Sequence, residues 1–187
     1  MSSYLNNRGT NNYGSAFMKV VYKHLGKWES HDFAEVARYL GRQPYVDSKR
    51  IAIMGTSYGG YSTVFTLLMY PDVFSVGIAN SPVTDWRLYD TIYTERYMGL
   101  LGDNAAGYDS ASALTRADKL GGHLLLIHSM MDDNVHPQNE QMFMNELIKA
   151  GILFETSIYP MRKHGFTDTP AKIHRDKTMQ DFWKKNL

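Results

Sequence analysis

Apolar residues in this chain form short continuous runs that alternate with segments of helical spacing. Four runs, at residues 51–54, 75–79, 123–128 and 154–159, are apolar over most of their length, which predicts four buried strands. Strands that alternate with helices and are apolar throughout favour a parallel sheet covered by helices on both faces. The sequence therefore predicts the α/β fold class.

The segments between the runs carry the helical pattern. Asp32 is a start signal for the second helix, Pro71 follows the third, and Pro170 can open the last. Ile173, Phe182 and Trp183 are expected as buried contacts of the last helix. A tyrosine- and aspartate-rich stretch is expected to form short helices above the sheet. The predicted helices cover about residues 17–25, 33–40, 59–69, 138–150 and 170–187, and the stretch of short helices covers residues 82–119.

Composition narrows the function classes. The chain has 187 residues, enough for one well-filled domain, and a net charge of +1, which gives no reason to expect nucleic acid or an anionic membrane as a partner. It has no cysteine, which excludes disulfides, thiolate metal sites and cysteine nucleophiles. No apolar run approaches the ~20 residues that span a bilayer, and residues 1–10 are too polar for a signal peptide.

A serine stands between glycines where the first predicted strand ends. Residues 51–62 read IAIMGTSYGGYS, and residues 55–59 within them fit the G-x-S-x-G nucleophile elbow. Side chains at Gly55 or Gly59 are expected to collide with the adjoining strand or helix. The turn exposes the Ser57 hydroxyl and directs the backbone N–H of Tyr58 toward a developing oxyanion. An ordinary turn that contains a serine is the alternative, and the strand before it and the helix after it favour a nucleophile.

A serine nucleophile requires a base and an acid. Of seven histidines, His164 best fits the order Ser…Asp/Glu…His, because it follows the fourth strand in a loop that can reach across the sheet. Asp132 and Asp133 both follow the third strand, and their spacing does not separate them. The run of these two acids with His136 lacks the helical spacing of zinc motifs, so no metal is expected, and the chemistry needs no cofactor.

Four motifs in order carry a resemblance: GTSYGGY at residues 55–61, YTERYMG at 93–99, DDNVH at 132–136, and a His-Gly pair at 164–165. With them the chain resembles, from about residue 7 to its end, the catalytic domain of dipeptidyl peptidase IV-like serine peptidases, in the prolyl oligopeptidase clan of α/β-hydrolases. The resemblance implies that residues 1–187 form one partial α/β-hydrolase domain. It also implies that Ser57 is the nucleophile, Asp132 the orienting acid and His164 the base.

The resemblance also implies a substrate pocket. Val83, Trp86, Tyr89 and Tyr93 are three or four residues apart, so they would lie on one face if this segment were a helix. A stripe of core residues is the alternative. In the family, the matching positions wall a pocket for a proline ring, an asparagine binds a substrate carbonyl, and an acid beside the pocket is expected to make a supporting hydrogen bond. The wall residues are Tyr58, Val83, Trp86, Tyr89, Tyr93 and Val135, the asparagine is Asn134, and the acid is Asp90.

The chain departs from the family in two ways. Thr56 stands where the elbow usually has tryptophan, and little effect on the chemistry is expected. Residues 6–10, NNRGT, resemble a segment well inside the family's hydrolase domain, so the early strands, the loop tyrosine that completes the oxyanion hole and the β-propeller domain are missing. The chain is therefore expected to be a fragment or a shortened homologue, truncated before the nucleophile strand. That strand becomes a sheet edge, and a second copy or another partner is expected to cover it.

Three functions are compatible with these features. The first is a serine peptidase that releases N-terminal dipeptides after proline or alanine, from peptides with proline at the second position. The second is an esterase or other acyl hydrolase of the same clan. The third is a catalytically weak module that serves assembly or binding. No compartment is assigned, because members of the clan are periplasmic, cytosolic or membrane-anchored.

Overall fold

A computed structural model describes residues 2–187 and contains one parallel sheet of four strands. The strands lie side by side in chain order, and every neighbouring pair is parallel. The prediction of an α/β fold with a parallel sheet is confirmed. The strands are β1 (Ala52–Thr56), β2 (Val76–Asn80), β3 (His123–Ser129) and β4 (Glu155–Tyr159).

Helices cover both faces of this sheet, as predicted. Alternate residues of β3 face two separate cores. Leu124 and Leu126 pack with the helices Tyr58–Met69 and Gln138–Lys149, whereas Leu125 and Ile127 pack with the helix Thr169–Asn186. Three short 3₁₀ helices, at Trp86–Leu88, Leu101–Asp103 and Leu114–Lys119, lie in the predicted stretch of short helices. The α-helices are α1 (Ser15–Lys19), α2 (Lys27–Gly41), α3 (Tyr58–Met69), α4 (Thr91–Met98), α5 (Ala105–Ala111), α6 (Gln138–Lys149) and α7 (Thr169–Asn186).

The predicted helix at residues 17–25 is wrong. Helix α1 ends at Lys19, and the left-handed backbone of Lys23 (φ 65°) and Gly26 (φ 87°) is incompatible with a continuing α-helix. Val21 and Leu25 are nevertheless buried, because the turns that follow α1 direct them into the core. The helical spacing therefore predicted these buried positions correctly but the backbone conformation incorrectly.

Asp32 does not start a helix, contrary to the sequence prediction. Helix α2 begins five residues earlier, at Lys27, and the Asp32 carboxylate accepts hydrogen bonds from the backbone and guanidinium N–H groups of Arg8. The Arg8 guanidinium also lies 4.1 Å from the centre of the Trp28 ring. Asp32 therefore fastens the N-terminal segment to α2.

The last helix follows its prediction except at one side chain. Asp168 caps α7 by accepting a hydrogen bond from the Ala171 N–H, and a proline lies in the first turn. Phe182 is buried and Trp183 packs against the same core, as expected, but Ile173 is 64% exposed and contributes no core contact. Among residues 2–187, no helix is both long and apolar enough to cross a membrane.

Strand β1 lies at one end of the sheet, which confirms the predicted edge. Its only neighbour among the described strands is β2, and Met54 on it is 51% exposed. The inner strands β2 and β3 are almost entirely buried. The two outer strands, β1 and β4, are thus more exposed than the inner pair.

The turn between β1 and α3 is tightly packed at two glycines. A Cβ on Gly55 would lie 2.3 Å from the backbone of Gly59, and one on Gly60 would lie 2.8 Å from the carbonyl oxygen of Asn80. A Cβ on Gly59 would meet nothing within 4 Å. The sequence expectation of steric exclusion is therefore correct for Gly55 and wrong for Gly59.

Alanine substitutions test this packing. We expect Gly55→Ala to lower the free energy of unfolding by about 3 kcal/mol or more, because backbone atoms must move to admit the methyl group. Gly59→Ala is the matched control, and in a helix position with open space it should be neutral or stabilising by roughly 0.5–1 kcal/mol. Urea denaturation measures both, and equal losses for the two variants would contradict the proposed packing of the turn.

Candidate active site

Three loops at the carboxyl ends of the strands bring the predicted serine, acid and histidine to the same end of the sheet. Ser57 directly follows β1, Asp132 follows β3, and His164 follows β4. Reactive groups gather at this end of open parallel sheets because the carboxyl ends of all the strands lie there. The His164 Nδ1–H donates a hydrogen bond to Asp132 Oδ2 at 2.8 Å.

Ser57 has the backbone conformation of a strained turn. Its φ of 60° and ψ of −118° fall outside the regions that side-chain-bearing residues normally adopt. Its N–H donates to the carbonyl oxygen of Asn80, at the end of β2, at 2.9 Å, which fixes the turn to the sheet. Tyr58 follows as the first residue of α3, where N–H groups lack intrahelical partners and the helix dipole favours negative charge.

The Ser57 hydroxyl makes no hydrogen bond to another side chain among residues 2–187, so the structure brings Asp132 and His164 into contact but not His164 and Ser57. In enzymes without bound substrate such catalytic hydrogen bonds are often long, and they shorten when substrate binds. The geometry thus contains a hydrogen-bonded acid–histidine pair at the same end of the sheet as a serine on a strained turn.

Asp132 is held as a buried carboxylate. Its second oxygen, Oδ1, accepts hydrogen bonds from the backbone N–H groups of Asn134 at 3.0 Å and Val135 at 2.9 Å. Burial by itself would raise the pKa of Asp132, but the nearby His128 ring and hydrogen bonds from His164 and the Asn134 N–H outweigh it and hold that pKa well below its usual value. A carboxylate that stays ionised can orient an imidazole ring and stabilise its protonated form.

The structure separates the two neighbouring aspartates. Whereas Asp132 is buried and faces His164, the side chain of Asp133 is 66% exposed and pairs with Lys163 at 2.6 Å. Lys163 lowers the pKa of Asp133, through a hydrogen bond first and charge second. The contact to His164 is therefore made by the first acid of the pair.

The six residues predicted to wall the pocket meet in one apolar cluster beside the serine turn. The Trp86 ring stacks on Tyr93, with ring centres 5.8 Å apart, and lies 5.6 Å from Tyr58. Val83 and Val135 are fully buried in this cluster, whereas Tyr58, Tyr89 and Tyr93 remain partly exposed. The core alternative therefore describes Val83, Val135 and Trp86, and the tyrosines supply the accessible aromatic surface.

The spacing suggested that these residues lie on one face of a helix, but the cluster forms in a different way. Trp86 lies in the 3₁₀ helix Trp86–Leu88, Tyr93 lies in α4, and Tyr89 lies in the turn between them. Asp90 makes the expected supporting hydrogen bond: its carboxylate accepts from the Tyr93 N–H at 2.8 Å and caps α4. Burial, followed by the neighbouring tyrosines, raises the pKa of Tyr93 to about 12, so the wall is uncharged at neutral pH.

Asn134 lies at the rim of this cluster. The Tyr89 hydroxyl donates a hydrogen bond to Asn134 Oδ1 at 2.7 Å. The amide oxygen of Asn134 is thereby occupied, and its NH₂ group is the part that remains to donate to a carbonyl. This polarity fits the role in binding a substrate carbonyl that the resemblance implies.

One buried residue of the site was missed from the sequence. Glu29, in the first turn of α2, is 3% exposed, and its Oε1 accepts a hydrogen bond from the Tyr58 hydroxyl at 2.5 Å. Burial raises the pKa of Glu29 against the opposing effect of the Tyr58 hydrogen bond. Nothing in the local sequence marks Glu29, because its contact is with a residue 29 positions further along the chain.

Metal binding finds no support in the arrangement of these side chains. Within the part of the chain that the structure describes, residues 2–187, His, Asp and Glu form no group of three or more arranged to hold a metal ion. His136 lies in the loop before α6, where its Nδ1 accepts a hydrogen bond from the Gln138 N–H at 3.2 Å. It is thus engaged with the local backbone.

The fold is of the α/β class, and the comparisons with known proteins identify its family. Residues 2–187 match the prolyl oligopeptidase family of serine peptidases, and the chain belongs to that family. This bears out the family resemblance carried by the four sequence motifs.

The chain is similar to curated proteins named as dipeptidyl peptidases. It is 40% identical over 181 residues to dipeptidyl peptidase 4 of Felis catus, covering 95% of this chain and 24% of that protein. It is 46% identical over 161 residues to a probable dipeptidyl-aminopeptidase B of Metarhizium robertsii, covering 84% of this chain and 18% of the relative. The chain therefore spans about a quarter or less of the length of these relatives.

Solved structures agree with the sequence comparison. The dipeptidyl peptidase 4 of Porphyromonas gingivalis superposes with a TM-score of 0.95 at 41% identity, covering 97% of this chain and 26% of that one. A putative dipeptidyl aminopeptidase IV from Bacteroides ovatus gives a TM-score of 0.94 at 37% identity over the same shares. The sheet and its loops thus follow the architecture of these structures.

The Tyr58–Glu29 hydrogen bond generates a prediction about stability. Tyr58→Phe should lower the free energy of unfolding by about 1–3 kcal/mol, because it leaves both carboxyl oxygens of Glu29 buried without a partner. Glu29→Gln should cost less, since the amide oxygen can accept the same hydrogen bond. Chemical denaturation at pH 7 measures both, and a larger loss for Glu29→Gln than for Tyr58→Phe would contradict this assignment.

The same pair predicts a pH dependence. Because the pKa of Glu29 is raised in the folded state, the folded protein binds the proton more tightly, so stability should fall as pH rises from the unfolded value of this carboxyl through the folded one. Glu29→Gln should remove that part of the slope.

Proposed function

We propose that the chain carries the catalytic residues of a serine peptidase that releases N-terminal dipeptides after proline or alanine. The observation that carries the proposal is the hydrogen bond between His164 and the buried Asp132, at the same end of the sheet as a serine held on a strained turn. Membership of the prolyl oligopeptidase family supports it. So do relatives whose names describe them as dipeptidyl peptidases.

The proposed chemistry assigns each residue one role. Ser57 Oγ attacks the scissile carbonyl while His164 Nε2 takes its proton, and Asp132 holds the ring through Nδ1 and stabilises the imidazolium. The Tyr58 N–H donates to the oxyanion of the tetrahedral intermediate. His164 then gives the proton to the leaving amine, and water hydrolyses the acyl-enzyme by the same steps.

Specificity for proline is proposed to come from the aromatic wall. A proline ring is rigid and apolar, so it loses little conformational freedom when it packs between tyrosine faces. Tyr58, Tyr89 and Tyr93 are the members of the wall that remain accessible. Asn134 would hold the carbonyl of the residue before the proline and so set the register for cutting after the second residue.

Labelling with a fluorophosphonate tests the nucleophile without assuming a substrate. We expect wild type to be labelled and Ser57→Ala not to be, with Ser48→Ala, a substitution of an exposed serine, labelled like wild type. Cleavage of Gly-Pro-nitroanilide should fall by about 10⁴–10⁶-fold in Ser57→Ala, as for other serine nucleophiles.

The other outcomes of this experiment identify the competing functions. Hydrolysis of short acyl esters with no preference for Gly-Pro-nitroanilide would indicate an acyl hydrolase. No labelling and no turnover would indicate a module for assembly or binding. Either result would overturn the proposed dipeptidyl peptidase activity.

The proposal for partners concerns the free edge of β1. Unpaired backbone groups on an edge strand can pair with another strand, so we propose that a second copy of the chain or another partner covers this edge. In sedimentation velocity the chain alone should form dimers, and Met54→Glu on the edge should weaken them. Ile148→Glu, a substitution of an exposed residue on α6, is the control. A stable monomer would contradict pairing between copies.

A further inference from the structure

A second buried histidine lies directly behind Asp132. His128, near the end of β3, is 1% exposed. Its Nε2 lies 2.9 Å from the carbonyl oxygen of Val135, and its Nδ1 lies 3.0 Å from Glu140 Oε2 on α6. Neither the mechanism proposed above nor the sequence motifs give this residue a role.

The hydrogen bonds determine where the protons of His128 lie. A carbonyl oxygen only accepts, so Nε2 must carry a hydrogen. On the other side of the ring, a carboxylate at Nδ1 favours a second proton there, which makes the ring an imidazolium. Burial lowers the pKa of His128, but the nearby Asp132 carboxylate and the hydrogen bond with Glu140 outweigh it and raise that pKa to about 9.

Glu140 is equally enclosed. It is 1% exposed, and its second oxygen, Oε1, accepts a hydrogen bond from the Thr156 hydroxyl of β4 at 3.2 Å. The charged groups that face His128 are thus Glu140 on α6 and Asp132 in the loop after β3. Hydrogen bonds with one charged partner and one hydroxyl group offset the free-energy cost of burying this carboxylate.

Asp132 Oδ2 lies between two imidazole rings. It is 2.8 Å from His164 Nδ1 and 3.5 Å from His128 Nε2. Glu140 is bonded to the opposite nitrogen of His128, so the positive ring lies nearer to Asp132 than the negative carboxylate does. A positive charge behind Asp132 reduces its attraction for a proton on His164.

We propose that His128 and Glu140 are positioning residues of the active site: as a buried imidazolium–carboxylate pair they hold the loop that carries Asp132 and Val135, and they set the pH range in which His164 acts as a base. This inference deepens the function proposed above and rests on it. The pair does not touch substrate, and it acts through Asp132 and the loop that carries Val135.

Glu140→Gln removes the negative charge of Glu140, and His128 is then expected to lose its second proton and its positive charge. The hydrogen bonds of both side chains can still form. The amide NH₂ can donate to an unprotonated His128 Nδ1, the amide oxygen can still accept from Thr156, and His128 Nε2–H can still donate to Val135. The variant is therefore expected to fold, which a thermal melt checks, whereas truncation of His128 would leave the Val135 loop without support. Glu146→Gln makes the same chemical change on the exposed side of the same helix and is the matched control.

The first measurement is the rate of fluorophosphonate labelling of Ser57 as a function of pH. In Glu140→Gln the acid limb of the profile should move to higher pH by about 0.5–1 unit, as expected at an effective dielectric constant near 20 for the loss of a charge pair whose positive member lies nearer to Asp132 and His164 than its negative member. The rate on the high-pH plateau should stay within about threefold of wild type, a margin worth less than 1 kcal/mol. Glu146→Gln should leave the profile unchanged.

The second measurement does not depend on activity. In protein labelled with ¹⁵N-histidine, both ring nitrogens of His128 should remain protonated from pH 6 to pH 8 in wild type, and only one should in Glu140→Gln. The midpoint of the His164 titration should rise in the same variant. A neutral His128 in wild type, or an unshifted His164 titration in Glu140→Gln, would overturn the inference, even if labelling of Ser57 supports the peptidase. If Ser57 is not labelled at all, the proposed function fails and the nitrogen spectra still decide the state of the pair.

Discussion

The site depends on keeping one carboxylate charged inside the protein. Removing Asp132 from water is unfavourable, and the structure compensates with two backbone N–H groups at one oxygen and two histidine rings at the other. Each donor comes from a segment that the sheet holds in place: His128 from β3, the N–H groups of Asn134 and Val135 from the loop before α6, and His164 from the loop after β4. Asp132 therefore stays ionised only while β3 and β4 are aligned. Its hydrogen bonds in turn hold the surrounding loops in place.

The sequence was most informative where chemistry is local. The serine turn, the four strands and the loops that bear Asp132 and His164 could all be predicted, because strand hydrophobicity and chain order determine them. The choice between Asp132 and Asp133 could not be made from spacing. In the structure it follows from burial, since one side chain points under the loop and the other points into solvent beside Lys163.

Contacts between distant segments escaped prediction. Glu29 and Glu140 are acidic residues in amphipathic helices, and such residues are normally solvated, so only the fold reveals that each is buried against a functional group. The same limit explains Asp32, which has the residue type of a helix cap but pairs with Arg8. It also explains the aromatic group at residues 83–93, whose members meet through a turn rather than along a helix.

The left-handed backbone at Ser57 has a consequence for the evolution of such a chain. A residue with a side chain in this conformation costs of order 1–3 kcal/mol, and glycine would remove most of that cost. Selection for stability alone would therefore replace the serine, and the hydroxyl persists only while some advantage of chemistry outweighs the strain. A copy of this fold freed from catalysis would be expected to drift toward glycine there, so the residue at this one position reports which selection has acted.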